Sequence, residues 1–123
     1  MIRNGKKEDI RKIGNLESSI KILAGNIRER LGIEVRAAAP QDIRKYGLDN
    51  NQGVVIARID AKGSLGRAGF EVGDIILGIE NQPIDNLQTF IELASSMKPG
   101  QKVTILALDH RTGNVGNVQV MVR

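Results

Sequence analysis

From Leu31 to Arg123 the apolar residues gather in short runs broken by turn residues, a texture of small strands rather than long helices. LGIEVRAA, GVVIARID, DIILGIE, KVTILALD and VGNVQVMVR read as strands, and Ile84 adds a short extended piece after the Asn81-Gln82-Pro83 turn. Between them Pro40 suits the first turn of a short helix, QDIRKY, that Gly47 stops. SLGRAGF predicts a tight helical turn. NLQTFIELASSM predicts the one long helix of this region, capped by Asp85 or Asn86 and ended by Pro99-Gly100. The final two strands form a hairpin across HRTGN.

Ahead of Leu31 the pattern differs. NLESSIKILAGNIRER sets Leu16, Ile20, Leu23 and Ile27 at helical spacing behind Asn15, with Gly25 against it. IRNGKKEDI carries Asn4-Gly5, the pair best suited to a two-residue hairpin turn. Its turn and basic character echo DHRTGNVGNVQV at the other end, as the last hairpin of a preceding copy of the same domain would. Residues 1–30 therefore read as a linker with an amphipathic helix, and residues 31–123 as the domain. Strands interleaved with two helices and closed by a hairpin predict an α+β fold, a small partly open barrel of five to six strands capped by two helices. There is no βαβαβ rhythm for a dinucleotide fold.

Composition narrows the chemistry. With 41% hydrophobic and 26% charged residues the balance is that of an ordinary globular domain, but aromatics are only 2%, so the core must be aliphatic and base-stacking platforms are lacking. The net charge of +4 is spread along the chain and densest just before Gly32. No cysteine is present, which removes disulfides, thiol nucleophiles and Cys-ligated metals. No apolar run reaches membrane-spanning length and the basic start lacks a signal-peptide core, so membrane insertion is not expected.

The stretch RERLGIEVRAA, Arg28 to Ala38, sets arginines before an apolar-Gly-apolar step at the mouth of a strand. Glycine there implies close approach to the backbone, and the arginines imply an anion. Further on, AGFEVGDIILGIENQPI places Ala68-Gly69-Phe70, Gly73-Asp74, Ile75-Ile76-Leu77 and Ile79 in an order that resembles the A-G-Φ-x-x-G-D-x-I-L signature of PDZ domains. Together with Leu31-Gly32-Ile33, Gly53-Val54-Val55 and KPGQKV, it resembles the PDZ domains of the HtrA (Do-like, DegP-type) serine proteases of bacteria, and their C-terminal PDZ in particular. The resemblance runs from Leu31 to Arg123. It implies the circularly permuted bacterial order, in which the strand bearing the binding loop comes first. Two departures stand out: Gly63-Ser64-Leu65-Gly66 replaces the family's Gly-Ser-Pro-Ala, and Asn81-Gln82 its Asn-Gly. Both are expected in turns away from the groove. Asp74 is expected to accept backbone N–H bonds in its turn.

The resemblance also implies a site. PDZ domains take an extended peptide as an added strand, and the x-Φ-G-Φ step maps onto Arg30-Leu31-Gly32-Ile33, whose N–H groups would hold a terminal carboxylate with help from Arg30 and Arg28. Ile33, Glu34 and Val35 would offer the free strand edge. On the long helix, Leu87, Phe90, Ile91, Leu93, Ala94 and Met97 span an apolar arc of roughly 160°. Leu87, Ile91, Ala94 and Ser95 are assigned to the groove, and Phe90, Leu93 and Met97 to the core.

Enzyme readings lack their parts. His110 is the only histidine, in a turn where a solvated role is expected, and no nucleophile motif surrounds Ser18, Ser19, Ser64, Ser95 or Ser96. The aspartates are scattered, without metal spacing, and no cofactor is implied. Gly63–Gly66 and Gly66–Gly69 read as GXXG, the best case for RNA, but such a loop needs a helix on both sides and this one follows a strand. Nucleic acid is not the expected partner. By resemblance the domain is a non-catalytic module of a periplasmic protease, taking C-termini or extended segments of unfolded proteins and touching the protease domain and neighbouring subunits; an assembly PDZ without peptide binding is the alternative.

Overall fold

The computed structural model describes residue 25, residues 27–48 and residues 53–123. The Asn4-Gly5 turn and most of the amphipathic segment lie outside these residues. In chain order the elements are a helical stretch at residues 27–31 (α1), β1 (Ile33–Ala37), α2 (Pro40–Tyr46), β2 (Val54–Ile59), α3 (Ser64–Arg67), β3 (Ile75–Ile79), β4 (Gln82–Pro83), α4 (Leu87–Ser95), β5 (Lys102–Leu108) and β6 (Val115–Met121). The five longer predicted strands are present; the short extended piece expected at Ile84 instead pairs at Gln82–Pro83, residues read as part of the turn. The first begins at Ile33 rather than Leu31, because Leu31 is still helical and Gly32, at φ 72°, turns the chain out of α1.

The strands form one antiparallel sheet in the order β1-β2-β3-β5-β6, with β4 added to β3. Among the described residues β1 and β6 therefore each have a neighbour on one side only. The β1–β2 ladder is broken by a bulge between Glu34 and Val35, whereas β5–β6 runs in unbroken register from Lys102–Met121 to Leu108–Val115. A bulge bends and twists its strand.

Local chemistry fixes the helices. Asn86 caps α4: its side-chain oxygen accepts the Thr89 N–H at 2.8 Å. α2 starts at Pro40, and the Asp42 carboxylate reaches back to the Ala39 N–H at 2.9 Å. Gly47, at φ 65°, ends it in the left-handed region. The β3–β4 turn departs from expectation, since Glu80 (φ 50°) and Asn81 (φ 65°) carry its two left-handed positions without a glycine. Glu80 is held there by two bonds to Thr104: its N–H donates to the Thr104 carbonyl and its carboxylate accepts the Thr104 N–H, both at 2.9 Å.

The main core is aliphatic around Phe90, with Leu31, Ile33, Ile56, Leu65, Ile76, Ile84 and Ile105 closed to solvent. Ile27 joins it at 4% exposure, so the core takes in a side chain ahead of residue 31. A smaller cluster of Val55, Ile75, Leu77 and Leu108 packs with Tyr46 on another face. The Phe90 side chain alone removes enough apolar surface to contribute on the order of 3 kcal/mol.

Candidate functional site

The site starts from the free edge of β1. Asp60 donates its N–H to the Gly32 carbonyl at 2.8 Å, which makes Ile33–Ile59 a pair without mutual bonds and turns the N–H and C=O of Ile33 outward. Opposite Val35, Ile56 has committed its N–H to the Asp74 carbonyl and its C=O to the Gly73 N–H. Val35 accordingly points its own backbone groups outward, and by alternation so does Ala37. Val35 of this edge, and Leu87 and Ile91 of α4, lie half-buried on the main core cluster, with Ser95 half-buried at the end of α4.

The ten predicted residues divide into two groups. Arg30, Glu34, Val35, Leu87, Ile91 and Ser95 keep partial exposure, whereas Leu31, Gly32, Ile33 and Ala94 are buried. Ala94, assigned to the groove, faces the core at 1% exposure, because α4 turns Phe90 and Ala94, four residues apart, to the same inner side. Phe90 and Met97 are buried as expected, and Leu93 is half-buried against the same cluster.

The loop expected to hold a carboxylate is already engaged. The Gly32 N–H donates to the Arg28 carbonyl at 2.9 Å, as the last turn of α1 requires. The Arg30 carbonyl accepts from the Arg123 N–H at 3.0 Å and the Ser64 hydroxyl at 2.9 Å. Arg28 leans on Glu34 at 3.6 Å, and Arg58 meets the same carboxylate at 3.4 Å. These ion pairs are exposed and contribute little to stability. They do place Arg28, Gly32, Ile33, Glu34 and Arg58 around a shallow cavity of about 280 Å³.

What comes close to Gly32 is Gly63, whose Cα would lie 2.9 Å from a Cβ added at Gly32. The Gly63–Gly66 turn thus packs directly on the loop, contrary to its expected distance from the groove. Gly66 is required for a similar reason: a Cβ there would come within 2.8 Å of the Ala61 Cα. Sequence reasoning missed Gly63 and Arg58, since nothing in a linear pattern shows which turn touches which strand.

Asp74 is held as expected in its turn: one carboxylate oxygen accepts the Glu71 N–H at 2.9 Å. The other accepts the His110 N–H at 3.1 Å and contacts His110 Nδ1 at 2.6 Å. The solvated role expected of His110 is therefore corrected, since its ring is only 30% exposed and locks the β5–β6 turn onto Asp74. An Asp109 carboxylate oxygen lies within 4.8 Å of both, so the three side chains cluster. Arg111 bonds Asp109 through its own N–H at 2.9 Å and sets its guanidinium 3.6 Å away, which opposes a cation there. Those bonds hold the Asp109 carboxyl below the usual carboxylate range.

Residues 30–122 match the family model described as PDZ domain. The chain belongs to the PDZ-domain family. Among curated relatives, this PDZ domain is 30% identical over 92 residues to a probable periplasmic serine endoprotease DegP-like of Halomonas elongata, covering 75% of this chain and 19% of the relative. It is 31% identical over 83 residues to serine endoprotease DegS of Escherichia coli strain K12, covering 67% and 23%. The chain thus spans about a fifth of the length of these relatives. Among solved structures, HtrA-type protease AlgW with tripeptide matches with a TM-score of 0.65 and 32% identity over 75% of this chain and 30% of that one. The HtrA3 PDZ domain bound to a phage-derived ligand shares the fold, with a TM-score of 0.59 at 16% identity, over 76% of this chain and 83% of that one. No described helix is long and apolar enough to cross a membrane.

Proposed function

We propose that this PDZ domain, residues 31–123, captures C-termini or extended segments of unfolded proteins by strand addition on β1. In this reading it serves as the accessory module of a periplasmic serine endoprotease of the HtrA type, with residues 1–30 as a linker. The observation that carries the reading is the edge itself, which is unpaired among the described residues: Ile33, Val35 and Ala37 turn their backbone groups outward, and Val35, Leu87 and Ile91 are half-buried on the core cluster. Main-chain bonds would give affinity and the apolar strip would select an aliphatic or Phe side chain. Support also comes from relatives, since AlgW was solved with a decapeptide and with a tripeptide. A few bonds at about 1 kcal/mol each and one side chain at about 2 kcal/mol, set against peptide ordering, imply micromolar or weaker affinity.

A second reading, an assembly PDZ that does not take peptides, is favoured by one observation. The Gly32 N–H that would meet a carboxylate already bonds Arg28, and Leu31 and Ile33 are closed over. The two readings part in a titration followed by amide chemical shifts, using a short peptide ending in Val or Phe as free acid and as amide. Capture predicts shifts at Gly32, Ile33, Val35 and Ile91 that are much larger for the acid. No shift with any apolar terminus leaves the assembly reading.

A further inference from the structure

Among the described residues the sheet has a second edge without a neighbour, on β6, and it is built differently from the first. The Asp109 N–H donates to the Asn114 carbonyl at 2.9 Å and the Val122 N–H to the Gln101 carbonyl at 2.8 Å. Each bond flanks a pair without mutual bonds, Leu108–Val115 at one end and Lys102–Met121 at the other, and the register between them has no break. Val115, Asn117, Gln119 and Met121 therefore direct their N–H and C=O groups away from β5. Along this edge α3 forms the opposite wall of a trough made of two hollows that meet at Ala68. One, of about 280 Å³, has Phe70, Val115 and Val118 in its lining; the other, of about 330 Å³, has Arg67, Gln119 and Met121.

Edge strands are ordinarily protected by charge, proline or a bulge. β1 carries charge, in Glu34 and Arg36, whereas β6, VGNVQVM, has no charge, proline or bulge. Val115 and Met121 are moreover among the most exposed large apolar side chains of the described residues, at 53% and 56%.

We propose that β6 pairs antiparallel with β6 of a second copy of this chain, about a two-fold axis at Val118. That axis engages all four outward-facing residues among themselves, Val115 with Met121 of the other copy and Asn117 with Gln119. Each apolar side chain then meets an apolar one and each amide an amide, the self-complementarity that an isologous contact demands. The antiparallel sense also separates the two copies' cationic ends at Lys62, Arg67 and Arg123. A seven-residue strand pair buries less than the standard interface, so the dimer is weak and concentration-dependent.

The absence of cysteine makes the test clean. Sedimentation of the full chain from about 10 µM to about 1 mM, the range for so small an interface, is expected to show a monomer–dimer equilibrium. Introducing N117K with Q119K, on an exposed edge, is expected to weaken it at least tenfold while leaving the thermal melt in place. Chains carrying N117C mixed with chains carrying Q119C should form a disulfide-linked dimer much faster than either alone, because only the mixed pair stands directly opposed. A monomer throughout the range, a dimer indifferent to the lysines, or cross-linking equal in all three samples overturns the proposal. So does a monomer whose β6 amides shift only with an added peptide, which would make the trough a second peptide site.

Discussion

Gly32 and Gly63 face one another so closely that a Cβ on either would lie within 3 Å of the other's Cα, at 2.9 and 2.8 Å. Backbone has no room to yield there, and Gly32 also sits at φ 72°. Gly32→Ala therefore combines left-handed strain with a clash between main chains, and is expected to cost about 2–3 kcal/mol in denaturant unfolding. Gly63→Ala lacks the φ penalty but meets the same wall. A fully stable Gly32→Ala variant would show that the loop relaxes without cost.

Ile91 and Phe90 are neighbours in sequence with opposite duties. Phe90 is closed to solvent in the core, so Phe90→Ala is expected to lose about 3–5 kcal/mol of stability. Ile91 is half-buried on the core cluster and assigned to the proposed groove, and Ile91→Ser is expected to cost far less stability while weakening peptide binding by about tenfold, the worth of a partly buried aliphatic contact. Melting curves and the peptide titration, run on both variants, separate the two duties.

Asp42 gives the domain an acid-sensitive joint. Burial pushes its carboxyl up, but the Ala39 N–H and the Arg36 guanidinium at 3.0 Å outweigh that and hold it below the usual carboxylate range. A depressed folded-state value stabilises the fold above the unfolded carboxylate range, near pH 4, and the contribution disappears as pH falls through the folded value. Asp42→Asn should flatten that part of the stability–pH curve, and Asp42→Ala should cost about 1 kcal/mol at neutral pH through the lost N–H acceptor. Unfolding measured from pH 7 down to about pH 2 checks both.

Asp74 ties two turns together, and its removal is expected to be expensive in a specific way. Asp74→Ala leaves the Glu71 and His110 N–H groups without their acceptors in a part-buried place, an expected loss of about 2 kcal/mol or more. Asp74→Asn keeps an acceptor oxygen and should recover part of it. Faster amide exchange at Glu71 and His110 in the alanine variant would locate the loss at these two bonds.

The strands and α4 were legible because their signals are local: apolar runs, Asn86 before Leu87, Gly47 after Tyr46. The A-G-Φ-x-x-G-D pattern carried the family for the same reason. What stayed hidden is long-range. Leu31 reads as the first residue of a strand, yet i→i−4 bonding with Arg28 keeps the chain helical through it. His110 looks like any turn residue until folding brings Asp74, 36 positions away, to 2.6 Å from its ring. The apolar arc of α4 was visible, but not the rotation that turns Ala94 inward, because packing against other elements sets that angle.

The bond from Gly32 to Arg28 also bears on where this domain can be cut. The family match opens at residue 30, so a fragment trimmed to that boundary loses Ile27 from the core and the carbonyl that occupies the Gly32 N–H. Shortening the chain there would weaken the fold and free the Gly32 N–H in one stroke. A trimmed fragment and a chain that keeps residues 27–29 are, at this loop, two different reagents, and affinities measured on the first do not transfer to the second.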